Sequence, residues 1–144
     1  MKKNLFGPLI LLLVIVAGCV KKEDETPLEI PKGTFSGAFT GLHLNKSTNK
    51  VDTVKANMVI TFSTTTGYAV YSDTSVVHAG SKGSYMVDPL FIEFGDSTIP
   101  AGPIPTTGKV HLAGIYRYSY KNNNLKIVRT NDTLGYFYDL TLAP

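Results

Sequence analysis

The chain lacks the features of a disulfide scaffold, a helical bundle or a nucleic-acid binder. Its 144 residues include one cysteine, which excludes an internal disulfide, and no tryptophan, so the Cys–Trp–Cys pattern of true immunoglobulin domains is excluded as well. No stretch shows sustained helical periodicity, and no apolar run reaches the ~20 residues that a transmembrane helix needs. Basic and acidic residues number 14 and 11, and this even balance gives no argument for a nucleic-acid partner.

Motifs for catalysis are also missing from the sequence. The three histidines, His43, His78 and His111, lie far apart and do not have the spacing of a metal site. No G-x-S-x-G elbow and no glycine-rich phosphate loop occurs. Glu93 interrupts the apolar segment LFIEF, and we interpret it as a solvated side chain rather than a catalytic carboxylate. The sequence therefore predicts no enzymatic activity, no cofactor and no metal site.

The first 18 residues have the three parts of a secretory signal peptide. Lys2 and Lys3 supply the positive start, residues 5–16 are mostly apolar, and Ala17 and Gly18 supply small residues at the cleavage point. We therefore assign residues 1–18 to a signal peptide. Its removal takes away two basic residues and leaves a mature chain close to neutral.

The tetrapeptide VAGC, which ends at Cys19, resembles the lipobox of bacterial lipoproteins. The resemblance implies a diacylglyceryl group on the Cys19 sulfur, cleavage just before that residue and acylation of the new amino terminus. Because one acyl chain gives only marginal membrane binding, several chains on one residue would supply a stable anchor. The alternatives are an ordinary signal peptide with a chance cysteine, or a buried free thiol.

Residues 19–32 are polar and contain two prolines, which predicts an extended, flexible tether. The segment KKEDE within them resembles the surface-export signal of Bacteroidetes lipoproteins. That resemblance implies an outer-membrane lipoprotein on the cell surface rather than on the periplasmic face. The alternative is a solvated linker without a sorting role.

Residues 33–144 are long enough for one domain, and their apolar residues recur with a period of two. β-branched and aromatic residues dominate, as is typical of strands. Turn residues such as the KNNN segment at 121–124 separate the apolar runs. Eight strands are predicted, at residues 34–44, 52–63, 68–73, 83–88, 90–96, 111–120, 124–129 and 134–142.

This pattern predicts an all-β fold, a single eight-stranded antiparallel up-and-down β-barrel, with a β-sandwich as the alternative. The segments GTFSGAF, GIYRYSYKNNNLKI and GYFYDLTL resemble the lipocalin-like domains of small Bacteroidetes lipoproteins. In those domains G-x-[FW] opens the first strand, and a tyrosine-rich hairpin with an asparagine turn precedes the last. The resemblance implies a lipocalin-like barrel, with Phe35 where lipocalins proper usually carry tryptophan.

Two groups of tyrosines are the candidate ligand-binding residues. Tyr116, Tyr118 and Tyr120 share one strand face, and Tyr136 and Tyr138 share another. If both faces point inward, the phenol groups line a mostly apolar ligand cavity with a few polar groups, as ligand sites require. Two alternatives stay open: the rings simply fill the barrel, or they point outward and form a patch for a partner or a glycan.

Three Asp–Ser/Thr triplets resemble the Bacteroidetes O-glycosylation motif, which implies acceptors at Thr53, Ser97 and Thr133. Together these observations predict a membrane-anchored lipoprotein with a non-catalytic binding domain, whose ligand is a small apolar or aromatic molecule inside the barrel. The alternative is a protein–protein module, an inhibitor or an accessory subunit of an outer-membrane complex. Its candidate feature is the proline-rich loop at residues 99–105.

Overall fold

The computed structural model describes residues 28–71, 77–99 and 108–144. The predicted signal peptide, Cys19 and the greater part of the predicted tether lie outside the described residues. Within them the chain forms eight strands: β1 (Gly33–Asn45), β2 (Lys50–Ser63), β3 (Gly67–Val70), β4 (Lys82–Val87), β5 (Phe91–Asp96), β6 (Gly114–Lys121), β7 (Asn124–Thr130) and β8 (Leu134–Leu142).

Each strand pairs antiparallel with the next, and β8 closes the sheet by pairing with β1. The predicted all-β, eight-stranded up-and-down barrel is therefore confirmed, and the sandwich alternative is not adopted. We call the end where β1 begins and β8 finishes the N-terminal end. The opposite end carries residues 77–81, residues 108–113 and the β7–β8 turn, and we call it the loop end.

The interior of the barrel is filled by the inward-facing residues of all eight strands. Aromatic rings meet across it: Phe39 and Tyr138 have ring centroids 4.8 Å apart, and those of Tyr68 and Phe94 are 4.9 Å apart. Each fully buried side chain of this size contributes about 1.5–3 kcal/mol to folding. The buried core consists of Phe35, Phe39, Met58, Ile60, Phe62, Tyr68, Val70, Ile92, Phe94, Leu112, Tyr116, Leu125, Ile127, Tyr138 and Leu140.

Two strand boundaries differ from the sequence prediction by three residues, and the others differ by no more than two. The third strand ends at Val70 rather than at residue 73, although the Tyr71 amide still donates to the Val59 carbonyl at 2.8 Å. The sixth strand begins at Gly114 rather than at residue 111. There the Ala113 amide donates back to the His111 carbonyl at 3.0 Å, and Gly114 has a φ of 84°, so the chain turns sharply before it joins the sheet.

The last residues of the predicted tether lie against the N-terminal end of the barrel. Pro31 is buried, and the Tyr85 hydroxyl donates to its carbonyl oxygen at 2.8 Å. Leu28 and Ile30 before it are exposed. The chain therefore enters the barrel at the N-terminal end, and the loop end lies on the far side of the fold from that entry. In the described part of the chain, no helix is long and apolar enough to cross a membrane.

Candidate functional site

The five tyrosines singled out in the sequence all face the interior of the barrel. Tyr116 and Tyr138 are buried, and the exposed fraction of each residue is 1%. Tyr118, Tyr120 and Tyr136 are half-buried and pack against the core. The residues that alternate with them on β6, Ile115, Arg117 and Ser119, are exposed. The outward-facing alternative is therefore not the one that the fold adopts.

The two deepest tyrosines are part of the packed core. The rings of Tyr116 and Tyr138 meet edge to face at 6.2 Å, and Tyr116 also meets Phe94 at 5.7 Å. Burial raises the pKa of the Tyr138 hydroxyl well above its ordinary value, and it raises the pKa of Tyr116 as well. Both side chains are therefore neutral packing groups, each with a hydroxyl that needs a partner.

The Tyr138 hydroxyl has its partner in a buried histidine. His78 is fully buried, with an exposed fraction of 0%. Its Nε2 lies 2.9 Å from the Tyr138 hydroxyl oxygen, and its Nδ1 lies 2.7 Å from the Ala79 carbonyl oxygen. A carbonyl can only accept, so Nδ1 carries the proton and Nε2 accepts from Tyr138. Burial lowers the pKa of His78, which keeps the ring neutral.

A second histidine and a carboxylate meet at the loop end. His111 Nδ1 donates to Asp96 Oδ2 at 2.9 Å, and the Asp96 side chain is 0% exposed. The other Asp96 oxygen accepts from the Thr98 amide at 2.7 Å and from the Thr98 hydroxyl at 2.6 Å. Burial alone would raise the pKa of Asp96, but the hydrogen bonds from Thr98, His111 and Ser81 outweigh it and lower that pKa. Asp96 is therefore a buried carboxylate that stays ionised and fixes the orientation of the His111 ring.

His111 opens onto a cleft of about 250 Å³ between residues 109–113 and the β7–β8 hairpin, which we call the mouth cleft. Tyr136, one of the predicted ligand-binding residues, forms part of its wall. The mouth cleft is lined by the polar residues Lys109, His111, Arg129, Asn131 and Tyr136 and by the apolar residues Ile99, Val110, Ala113 and Leu134.

Arg129 is a cation of the mouth cleft that two contacts hold in place. Its Nη1 donates to the Ala113 carbonyl at 3.0 Å, and its guanidinium carbon lies 5.6 Å from the centroid of the Tyr116 ring. A guanidinium stacked on an aromatic face and bonded to the backbone loses little further freedom when it binds a ligand. The mouth cleft thus combines a preset cation, an oriented imidazole and a tyrosine.

Sequence reasoning did not find this arrangement. It named His78 and His111 only as histidines that lie far apart in the sequence, and Asp96 entered only as the aspartate that precedes Ser97 in a modification motif. The pairing of Asp96 with His111 depends on the approach of residues 108–113 to the end of β5, which no local pattern encodes. In the described ranges, no group of three or more histidine, cysteine, aspartate or glutamate residues could hold a metal.

The three predicted glycosylation acceptors lie in different settings. Thr53 is exposed on β2, and Ser97 is exposed just after β5, where its hydroxyl donates to the Lys82 carbonyl at 2.8 Å. Thr133 is half-buried in the β7–β8 turn, with its hydroxyl 3.4 Å from Asn131 Oδ1. Modification of these residues stays a prediction, and Thr53 and Ser97 are the exposed ones among them.

The proline-rich loop predicted as a partner-binding feature lies largely outside the described residues, which include only Ile99 of it, a wall residue of the mouth cleft. Comparison of the chain with models of known protein families finds no match, and neither does comparison with curated proteins or with solved structures.

Proposed function

We propose that this chain is a membrane-anchored lipoprotein whose β-barrel is a non-catalytic binding domain, and that its ligand site is the mouth cleft. The observation that carries the proposal is the convergence of Arg129, His111 and Tyr136 on one cleft above a filled barrel. The sequence-based hypothesis set the ligand among the tyrosines inside the barrel. Because Tyr116 and Tyr138 are packed into the core, we favour a site nearer the loop end, where Tyr136 is still partly exposed.

The position of the mouth cleft supports a binding role for a tethered protein. The chain enters the barrel at the N-terminal end, so an anchor on Cys19 would be connected to that end through the tether. The 13 residues between Cys19 and Gly33 span at most ~3.3–3.6 Å each when extended. A tether of this length allows the mouth cleft, at the opposite end from the chain entry, to stand clear of the membrane and to be open to molecules in solution.

Native mass spectrometry of the full chain, purified from its host in mild detergent, tests the ligand. A co-purifying small molecule is expected on the wild-type protein and on a Tyr71→Ala variant, which changes an exposed tyrosine elsewhere on the barrel. A Tyr136→Ala variant should lose it. Retention of the molecule by Tyr136→Ala would place the ligand elsewhere, and the absence of any small molecule on the wild-type chain would oppose a ligand-carrying role.

The anchor has its own test. Labelled palmitate should be incorporated into the wild-type chain, and globomycin should block removal of the signal peptide. A Cys19→Ala variant should take up no label. Normal processing of that variant, in the presence of globomycin, would refute lipidation of Cys19.

A second candidate function is docking of a protein partner, and an apolar surface on the outside of the barrel favours it. Met86 and Ile115 lie on β4 and β6 on either side of Glu93, and they are 67% and 57% exposed. With Val87, Asp88 and Phe91 they line a groove of about 450 Å³, which we call the outer groove. Exposed apolar surface bordered by charge is typical of protein interaction sites.

Crosslinking in cells distinguishes this function from ligand carriage. A stable crosslinked species is expected for the wild-type chain and should disappear with Ile115→Lys. Val51→Lys is the matched control, because Val51 is also 57% exposed but lies on β2. Equal crosslinking by both variants would show that the outer groove is not the docking surface.

A further inference from the structure

We infer that the mouth cleft recognises a compact oxyanion, the carboxylate or phosphate group of a small molecule. This inference rests on the binding function proposed above and specifies the chemistry of its ligand. It contrasts with the apolar ligand expected from the tyrosines alone.

The charges of the mouth cleft favour an anion. Lys109, His111 and Arg129 all line it, and none of the described residues that line it carries a carboxylate. The carboxylate of Asp96 lies behind the His111 ring and is enclosed by its own hydrogen bonds. The guanidinium of Arg129 therefore supplies the positive charge to which an anion would bind.

The geometry of the donors favours an oxyanion over other negative groups. Arg129 commits Nη1 to the Ala113 carbonyl, and a guanidinium carries further N–H groups in a planar fork that matches a carboxylate or phosphate. His111 commits Nδ1 to Asp96, so only its Nε2 is available to the mouth cleft. Tyr136 and Asn131 add a hydroxyl and an amide at the same wall.

The size and the remaining wall limit the ligand. A volume of about 250 Å³ lies below the range of ~300–1,000 Å³ that drug-sized ligands occupy. Ile99, Val110 and Leu134 supply an apolar side. A small organic acid with one charged group and a short apolar or aromatic body fits both constraints, and so does inorganic phosphate for the charged part alone.

Calorimetric titration of the full chain in neutral detergent tests the inference with three probes: benzoate, its uncharged analogue benzamide, and inorganic phosphate. Benzoate is expected to bind about tenfold more tightly than benzamide, because the charged hydrogen bonds to Arg129 are lost with the amide. Phosphate binding without benzoate binding would assign the mouth cleft to phosphate groups, and the reverse would assign it to carboxylates. Both results support an oxyanion site.

Two variants locate the binding. Arg129→Gln should weaken anion binding about tenfold, whereas Arg117→Gln, which removes an exposed arginine stacked on Phe91 outside the barrel, should leave it unchanged. Arg129→Lys keeps the charge and should retain part of the affinity. This retained affinity would show that Arg129→Gln weakens binding through the loss of charge and not through unfolding. Melting temperatures of the same variants report directly whether they are folded.

Equal affinity for benzoate and benzamide would overturn the oxyanion inference and leave the mouth cleft as an uncharged binding site. Binding of neither anion at millimolar concentrations would also overturn it. An unchanged anion affinity in Arg129→Gln would do the same, because the anion would then be held elsewhere.

Discussion

His78 and Tyr138 form a hydrogen-bonded pair inside the barrel, with 2.9 Å between Nε2 of His78 and the tyrosine hydroxyl. Neither side chain reaches solvent, since their exposed fractions are 0% and 1%. Phe39 packs against both rings, at centroid distances of 5.4 Å and 4.8 Å. The pair therefore ties the segment 77–81 to β8 through one polar contact in apolar surroundings.

Removal of the tyrosine hydroxyl should destabilise the fold more than its size suggests. Tyr138→Phe keeps the ring but leaves Nε2 of His78 buried without its donor, which costs about 1–3 kcal/mol. Urea denaturation of the variant should show that loss in the free energy of unfolding. Tyr71→Phe, at an exposed tyrosine, is the control and should change the free energy by less than about 0.5 kcal/mol. A Tyr138→Phe variant as stable as this control would contradict the pairing.

The same histidine should make stability depend on pH below neutrality. Burial lowers the pKa of His78 in the folded state, whereas the unfolded chain protonates near the ordinary value of ~6.5. Protonation therefore favours the unfolded chain, and stability should fall as the pH drops from ~6.5 toward the folded-state pKa, by at most ~1.4 kcal/mol per pH unit. Denaturation midpoints between pH 7.5 and 5 measure the slope.

Replacement of the histidine should remove that slope. His78→Gln is expected to be less stable at pH 7.5 but flatter in its pH response, whereas His43→Gln changes an exposed histidine of β1 and should keep the wild-type slope. An unchanged slope in His78→Gln would show that another group carries the pH dependence.

Local patterns were sufficient to predict the barrel but not the mouth cleft. Alternation with a period of two places Tyr116, Tyr136 and Tyr138 on strand faces, and the turn residues between apolar runs mark the hairpins. Which face points inward follows only from barrel closure, when β8 pairs with β1. The contact of Asp96 with His111 joins residues 15 apart in the sequence, and the contact of His78 with Tyr138 joins residues 60 apart. Such pairs depend on tertiary packing, for which a single sequence carries no periodic signal.

The asparagine turn between β6 and β7 was visible in the sequence for a physical reason. Asn122 and Asn123 adopt φ values of 51° and 62°, which a two-residue hairpin with two left-handed positions requires. Asn123→Gly should therefore be neutral or slightly stabilising, whereas Asn123→Val should destabilise the fold by about 1–3 kcal/mol. Thermal unfolding of the two variants tests this order. Asn131→Val is a poor control, because the Asn131 side chain accepts a hydrogen bond in the β7–β8 turn. Lys121→Val, at the end of β6 just before the asparagine turn, is the better control.

Asp96 should be the carboxylate on which acid stability most depends. Its pKa is lowered in the folded state because the hydrogen bonds from Thr98, His111 and Ser81 outweigh the cost of burial. A lowered pKa contributes stability that is present above the unfolded value of ~3.9 and is lost as the pH falls through the folded value. Asp96→Asn removes the charge but keeps the shape, so it should destabilise the protein at pH 6 by about 1–3 kcal/mol.

The difference between wild type and Asp96→Asn should shrink as the pH drops below ~3.9, because protonation of this carboxyl then begins to favour the unfolded wild-type chain. Asp139→Asn is the matched control: Asp139 pairs with Lys126 at 3.5 Å, but both side chains are more than half exposed, so its loss should cost less than about 1 kcal/mol. Urea denaturation of the three proteins at pH 6 and pH 3 measures both effects. If Asp96→Asn cost no more free energy of unfolding than Asp139→Asn at pH 6, the Asp96 carboxylate would not stabilise the loop end. The orientation of the His111 ring toward the mouth cleft would then need another cause.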